Sequence, residues 1–466
     1  MNKRILAAVI CAASVLSLAG CGEKGNNSGS GNSGNAGNSG NAGNSGDTTD
    51  DPTANLTDEN DVLTIGTWTS NGDIANLIKV FTEVTGTSVK VEQVGAGEKG
   101  ENARDQYKEL INDANVDCDL IICDADWVRN YLDDATYCLP LSDIGISASE
   151  YTDAYKYTIA VGTGSDGVFR GATFQATPGC FFYNAELAKE HLGVETPEAM
   201  QEKVKDWTAF MATAKELTEK SGGKVALQAT EGGLWQVYQC YRTKPWVVDG
   251  KLEMDNAGDF YDFAKELKDN GGISDAIQWE KESWYPTMQA GEALGEFAPT
   301  WGLTGLEGSI LGDCAGSFTG SDAIFTAIAG PADWYWGGSY FGVTKKCNTK
   351  KTAAQFIRFY TLNWMNGMEE YAKKTGDFMN NKTVNGKVDY QNPALIGGQN
   401  HKPVISGVAE KIDMDGKITI YDSVIKSDFN DSVKGYIDGS LYKTKEDAIA
   451  GFKKAVREHL PDLTVE

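Results

Sequence analysis

Histidine is nearly missing from this chain, with only His191, His401 and His459 among 466 residues. Imidazole metal sites and Ser–His or Cys–His relays need histidine grouped with other ligands or a nucleophile, so both chemistries are poorly provided for. Cysteine falls short of a framework as well. With Cys11 and Cys21 set aside, the remainder are Cys118, Cys123, Cys138, Cys180, Cys240, Cys314 and Cys347, an odd set without a CxxC pair. They read as small buried residues, with a Cys118–Cys138 bridge left open. Positive charge is the third deficit. Forty-two Lys and Arg against 66 Asp and Glu give a formal charge of −24, which opposes nucleic acid and anionic lipid as partners. Asp413-Met-Asp415-Gly416 is too short for a calcium loop and lacks its closing acid. No catalytic residue, metal ligand or cofactor is assigned.

What is present begins at the N-terminus. Lys3 and Arg4 precede an apolar run from Ile5 to Leu16, too short to span a bilayer comfortably, and then Leu18-Ala19-Gly20-Cys21. This is the pattern of a secretory signal over residues 1–20. Leu-Ala-Gly-Cys resembles the lipobox of bacterial lipoproteins, which implies that the Cys21 sulfur carries a diacylglyceryl group. Its two acyl chains would hold the protein at a membrane face. From Gly22 to about Asn60 the chain is almost only Gly, Asn, Ser, Ala, Asp and Thr. Residues 21–60 therefore read as a lipidated cysteine and a flexible tether, with an r.m.s. reach of roughly 30–40 Å.

Beyond Asp61, about 400 residues of ordinary globular composition exceed what one hydrophobic core supports, so two domains are expected. Leu63 and Ile65 alternate as a strand. Ile74, Leu77, Ile78, Phe81 and Val84 then recur at helical spacing, with Gly86 at the left-handed C-terminal position. A strand near Ser88–Val94, a helix near Glu101–Asn112 and the apolar run Asp119–Asp124 complete a β-α-β-α-β opening. A continuous apolar strand after a helix marks a parallel strand buried on both faces. Strands and helices alternate onward to a last helix at Lys445–His459, so the fold class is α/β.

In open parallel sheets ligands sit beyond the carboxyl ends of the strands. Trp68 and Asn71 follow the first strand, and Asp124, Asp126 and Trp127 end the buried one. Trp235, Trp284, Tyr285, Trp301 and Trp336 recur in loop-like clusters farther on. Flat aromatic faces beside Asp and Asn suit a sugar, whose ring stacks while its hydroxyls find polar partners.

Over its folded length the chain resembles substrate-binding lipoproteins of carbohydrate ABC transporters, the group of the maltose- and oligosaccharide-binding proteins. The likeness lies in Leu-Thr-Ile-Gly-Thr-Trp68, in Cys118-Asp-Leu-Ile-Ile-Cys-Asp-Ala-Asp-Trp127, and in Phe181-Phe-Tyr-Asn184. It continues in Met288-Gln-Ala-Gly-Glu-Ala leading to Thr300-Trp-Gly302, in Gly337-Gly-Ser-Tyr-Phe-Gly-Val343, and in Lys373-Lys-Thr-Gly-Asp-Phe. It departs in lacking an Ala-Met run after Gly291 and in the unusually aromatic Trp-Tyr-Trp before Gly337.

The resemblance implies two doubly wound lobes of the periplasmic-binding-protein type II kind, with ligand between them. Their expected bounds are 60–170 plus 302–368 and 171–301 plus 369–466. It implies that Trp68, Asn71, Asp126 and Trp127 line one side, with Trp336 nearby, and that Trp235, Trp284, Tyr285 and Trp301 line the other. It further implies a monomer on the outer face of the cell membrane of a Gram-positive-like bacterium, held by Cys21. There it would capture a sugar or oligosaccharide for permease subunits and catalyse nothing. Two other readings stay open. One is a binder of polyamine or peptide, with Asp124, Asp126 and Asp333 in an aromatic box. The other is a lipid-anchored glycoside hydrolase.

Overall fold

Twelve strands form among the residues described by this computed structural model, which are 51–68, 72–93 and 103–466. The leader, Cys21, most of the tether and Asn71 lie outside them. In chain order the strands are β1 (Leu63–Thr67), β2 (Val89–Gln93), β3 (Leu120–Asp124), β4 (Gly171–Thr173), β5 (Gly179–Asn184) and β6 (Ala226–Thr230). There follow a small hairpin, β7 (Val247–Val248) and β8 (Lys251–Leu252), then β9 (Ile273–Ala276), β10 (Ala293–Pro299), β11 (Phe325–Ile328) and β12 (Ser339–Val343).

They build two five-stranded sheets, ordered β2-β1-β3-β12-β4 and β11-β5-β10-β6-β9. The neighbours β2-β1-β3 run parallel, as do β10-β6-β9, while β12 and β5 run against their neighbours. Alternation along β3 sends Leu120 and Ile122 to one core and Ile121 and Cys123 to another, as a strand covered on both faces requires. Helices Gly72–Thr85, Lys350–Thr361 and Gly367–Thr375 cover the first sheet through Leu77, Phe81, Phe356 and Met368. Helices Trp207–Ser221, Ala257–Asp269, Asp422–Ile437 and Lys445–His459 cover the second through Phe210, Phe260, Phe429 and Phe452. The chain is α/β, and Gly86 and Gly193 close their helices at positive φ.

Hydrogen bonding assigns three segments differently from the sequence expectation. Strand β4, expected in the second lobe, pairs with β12 in the first sheet. Strand β11, expected in the first lobe, pairs with β5 in the second. Helix Gly367–Thr375 packs Met368, Tyr371 and Ala372 into the first core, although residues from 369 onward were expected with the second lobe. The chain therefore crosses between sheets at 174–178, at 329–338, and again before Leu395, which bridges to Phe325.

Residues 51–60 also depart from the expected tether. Thr53 is fully buried, Glu59 N donates to Asn348 O (2.7 Å), and Asp58 forms a bridge with Thr349. The Asp58 carboxylate accepts from Lys351 N (2.7 Å) and from Thr352 Oγ1 (2.6 Å). It thereby caps helix Lys350–Thr361, whose own N-cap residue, Thr349, provides no side-chain bond. All seven cysteines from Cys118 onward are free thiols, so no Cys118–Cys138 bridge forms. No helix among the described residues is long and apolar enough to cross a membrane.

Asp58→Ala should remove about 1 kcal/mol of stability, read as a lower urea midpoint at unchanged slope. An unchanged midpoint would mean that the segment only lies against the lobe.

Candidate functional site between the two sheets

The carboxyl ends of β1 and β3 form one polar edge, and those of β6, β9 and β10 form another. The first two crossing segments join these edges by pairing with each other. Trp336 N donates to Thr177 O (3.0 Å), Gly179 N to Trp334 O (3.2 Å), and Ala125 N to Gly338 O (2.9 Å). Thr177 Oγ1 adds a bond to Gly337 O (2.8 Å). Gly337 and Gly338 take φ of +70° and +116°, and a Cβ at 337 would stand 3.3 Å from Asp124 Oδ2 and 3.6 Å from Trp301 Nε1. Glycine thus lets the crossing strand turn tightly between a carboxylate of one edge and an indole of the other.

Three tryptophans gather there. Trp301 donates its Nε1 hydrogen to Trp336 O (3.1 Å), and the two rings meet edge to face at 5.0 Å. Trp279 lies 6.2 Å from Trp301 with planes 13° apart, and 5.6 Å from Trp336. Sequence reading passed over Trp279, which sits after β9 in a stretch without periodic pattern. Two features single it out: it is 42% exposed despite its size, and its φ is +73°. A bulky residue in the left-handed region costs on the order of 1–3 kcal/mol, and such strain clusters at functional sites.

The carboxylates are shaped by burial. Desolvation, and then the charge of Asp126, push Asp124 up to about 7, while Asp124 Oδ1 accepts from Asp126 N (2.9 Å). Asp126 itself is taken by Lys426 at 3.2 Å, from helix Asp422–Ile437 on the opposite edge. Burial works against the Lys426 charge, yet Asp126 and Asp422 outweigh it and raise its pKa. Beside this pair Asn130 Nδ2 donates to Ile420 O (3.2 Å). The lobes are in contact here, and the cavity bounded by Asp126, Gln239, Trp336 and Lys426 measures about 20 Å³, room for one water.

Two further carboxylates stand in the second lobe. Glu231 opens helix Glu231–Tyr238, just past the end of β6. Both its oxygens are shielded from solvent without a hydrogen-bond partner among the described residues, and desolvation lifts it to about 7. Glu296 in β10 is likewise raised by burial to about 7, although Thr230 Oγ1 (2.7 Å), Phe297 N (2.8 Å) and Trp284 Nε1 (3.0 Å) donate to it. It binds β6, β10 and helix Trp284–Gln289 into one wall.

Of the residues expected at the site, Asp126, Trp301 and Trp336 come together, and Tyr285 is half-buried at the margin. Trp68 and Trp127 are half-buried against the first lobe, Trp127 with its ring 5.5 Å from Tyr107. Trp235 and Trp284 are corrections. Trp235 is 3% exposed and stacks on Phe429 at 4.7 Å. Its segment, read as loop-like, is a helix whose inner face carries it into the core. Trp284 is fully buried, its indole committed to Glu296. Lys426 was missed because helix Asp422–Ile437 went unrecognised. No His, Cys, Asp and Glu cluster able to hold a metal occurs among the described residues.

Residues 76–397 match the family model described as bacterial extracellular solute-binding protein. Among solved structures, an extracellular solute-binding protein of family 1 superposes with a TM-score of 0.70 at 15% identity, covering 86% of this chain and 99% of that one. The lacto-N-biose-bound protein of a Bifidobacterium longum ABC transporter gives 0.65 at 15%, covering 88% and 100%. A transporter-associated protein of B. animalis subsp. lactis, in complex with β-1,6-galactobiose, gives 0.63 at 18%, covering 87% and 99%. At these identities the likenesses establish the fold. No curated protein matches the chain in sequence.

Three outcomes are expected. Trp235→Ala should cost about 3–5 kcal/mol of stability by opening a core cavity. Trp279→Gly should cost no more than about 1–2 kcal/mol of unliganded stability, because relief of strain at positive φ offsets part of the lost ring contacts and of glycine's added freedom in the unfolded chain; a larger loss would mark Trp279 as structural. The third concerns pH. Asp124, Glu231 and Glu296 hold protons in the folded state up to about 7, whereas unfolded carboxyls release theirs near about 4. Between these values the native state binds more protons, so stability falls as pH rises. Asp166, held down to about 2 mainly by its hydrogen bond from Arg170, works oppositely at lower pH. Thermal melts should therefore peak near about pH 4 and decline from there toward about pH 7. A flat or rising profile would show these groups ionised without penalty.

Proposed function

The chain belongs to the bacterial extracellular solute-binding protein family, and from that premise we propose that its solute is a sugar or oligosaccharide. The observation that carries this reading is the group Trp279, Trp301 and Trp336 at the junction of the sheets, with the Asp124 carboxylate across the Gly337 turn. Flat apolar faces beside a polar acceptor match a pyranose, which has apolar CH faces and an equatorial belt of hydroxyls. The carbohydrate complexes of the superposing B. longum and B. animalis proteins support it.

The sugar would contact both edges and favour the closed arrangement by the contacts it makes only there. Capture by closure supplies the permease of an ABC importer with a loaded carrier, and the protein acts as a binder without turnover. In this reading Cys21 carries lipid, and the segment up to about residue 50 holds a monomer close to the outer face of the membrane. Trp68, Asn71 and Trp127 remain candidate contacts on the first lobe.

The amine reading is weaker. Of the three acids it needs, Asp126 is paired with Lys426 at 3.2 Å and Asp333 with Lys411 at 3.7 Å. An ammonium ligand would have to displace lysines already in place. A hydrolase would need one carboxyl raised beside a free carboxylate. Asp124 meets the first condition, but its neighbour Asp126 is held by Lys426.

Thermal-shift screening of the full chain against gluco-, galacto-, manno- and xylo-oligosaccharides should identify at least one ligand. At 100 times its dissociation constant it adds about 2.7 kcal/mol. Trp301→Ala should weaken that ligand more than tenfold by calorimetry. Binding of spermidine with no response to any glycan would overturn the proposal, and release of smaller sugars on long incubation would overturn the claim of binding alone.

A further inference from the structure

We propose that the groove between helices Trp284–Gln289 and Ile310–Ala315 is an outer subsite for the third and later rings of an oligosaccharide whose first rings lie against Trp301 and Trp279. The inference rests on the carbohydrate reading and deepens it, by making the solute a chain of three or more units.

Space is the first reason. The junction between Asp126 and Lys426 leaves about 20 Å³, whereas the groove, open to solvent, offers about 570 Å³, within the range of small-molecule sites. Continuity is the second. Trp279 stands at the junction, and Lys281, two residues on, lines the groove. Rings connect the two places: Trp336 to Trp301 at 5.0 Å, Trp301 to Trp279 at 6.2 Å, Trp279 to Trp284 at 5.4 Å, and Trp284 to Tyr285 at 5.2 Å. Trp284 is buried and serves as the support on which the outer rings rest. Tyr285 lies on it with planes 25° apart and lines the groove beside Pro286, giving a second stacking platform beyond Trp279.

The polar lining is the third reason. Gln289 Nε2 donates to Asp313 O (2.8 Å), which leaves its carbonyl oxygen as an acceptor, and Asp313 Oδ1 is held by Gly308 N (2.8 Å). Lys281 and Glu307 are exposed, and neither forms an ion pair among the described residues. Donors and acceptors of both charges around an aromatic platform fit uncharged sugar rings better than a strongly charged ligand. The groove opens to solvent, so a chain can extend through it without a fixed upper length.

The test is calorimetry on the full chain with malto- and galacto-oligosaccharides of two to five units, using whichever series binds. Affinity should rise at least tenfold from two units to four. Tyr285→Ala should remove most of that gain while changing the two-unit affinity less than twofold, and Tyr285→Phe should keep it. Gln289→Lys, at an exposed position, should obstruct the longer ligands alone and so covers the case in which Tyr285→Ala folds poorly. Equal weakening of short and long ligands by these variants, or affinity flat beyond two units, overturns the outer subsite and leaves the carbohydrate reading standing. Failure of every glycan to bind overturns both, and the two failures are thereby told apart.

Discussion

The pairing of the two crossing segments is the constraint on which the site depends. Thr177 and Gly179 exchange backbone hydrogen bonds with Trp336 and Trp334, and the Gly337-Gly338 turn then passes between Asp124 and Trp301. This pairing runs beside a buried cluster that both sheets share, with Ile121, Cys123 and Tyr340 from one and Phe182, Ala298 and Phe325 from the other, and it lies where the two polar edges meet. Without the turn, Trp336 O could not receive the Trp301 indole, and the aromatic group would lose the bond that fixes its orientation. A side chain at 337 would be strained by the positive φ and would crowd the Asp124 carboxylate at 3.3 Å.

Around this junction the second lobe buries two carboxyl groups. Glu296 accepts bonds from strand, helix and indole, and Glu231 stands shielded without a partner. Burial raises both, as it raises Asp124. Desolvated acceptors near an aromatic surface cost stability in the free protein and gain when a ligand brings hydroxyl donors. The Lys426–Asp126 pair adds a charged contact between the lobes to the buried apolar cluster they share.

Much of the fold was legible in the chain. Hydrophobic period identified β1, β3 and the helices Gly72–Thr85 and Lys445–His459. Lobe bounds were less so, because β4 and β11 are short apolar runs that either sheet could accept, and only their partners β12 and β5 decide. At the site, Asp126, Trp301 and Trp336 were readable as aromatic and acidic residues at strand ends. Trp235 misled because an aromatic in a Gly-rich stretch looks like a loop residue, while the helix it starts turns that ring inward onto Phe429. Trp279 lay in no periodic segment, and its positive φ leaves no mark on residue order.

By itself, then, the sequence determined the α/β class and the kinds of side chain available for a ligand, since these follow from composition, period and local spacing. Tertiary structure decided which aromatics face the junction and which fill the core, how Asp126 came to share its charge with a lysine 300 residues away, and that residues 51–60 dock on the first lobe. The reason is physical: burial, long-range pairing and backbone strain belong to atoms brought together by the fold, and no local pattern encodes them.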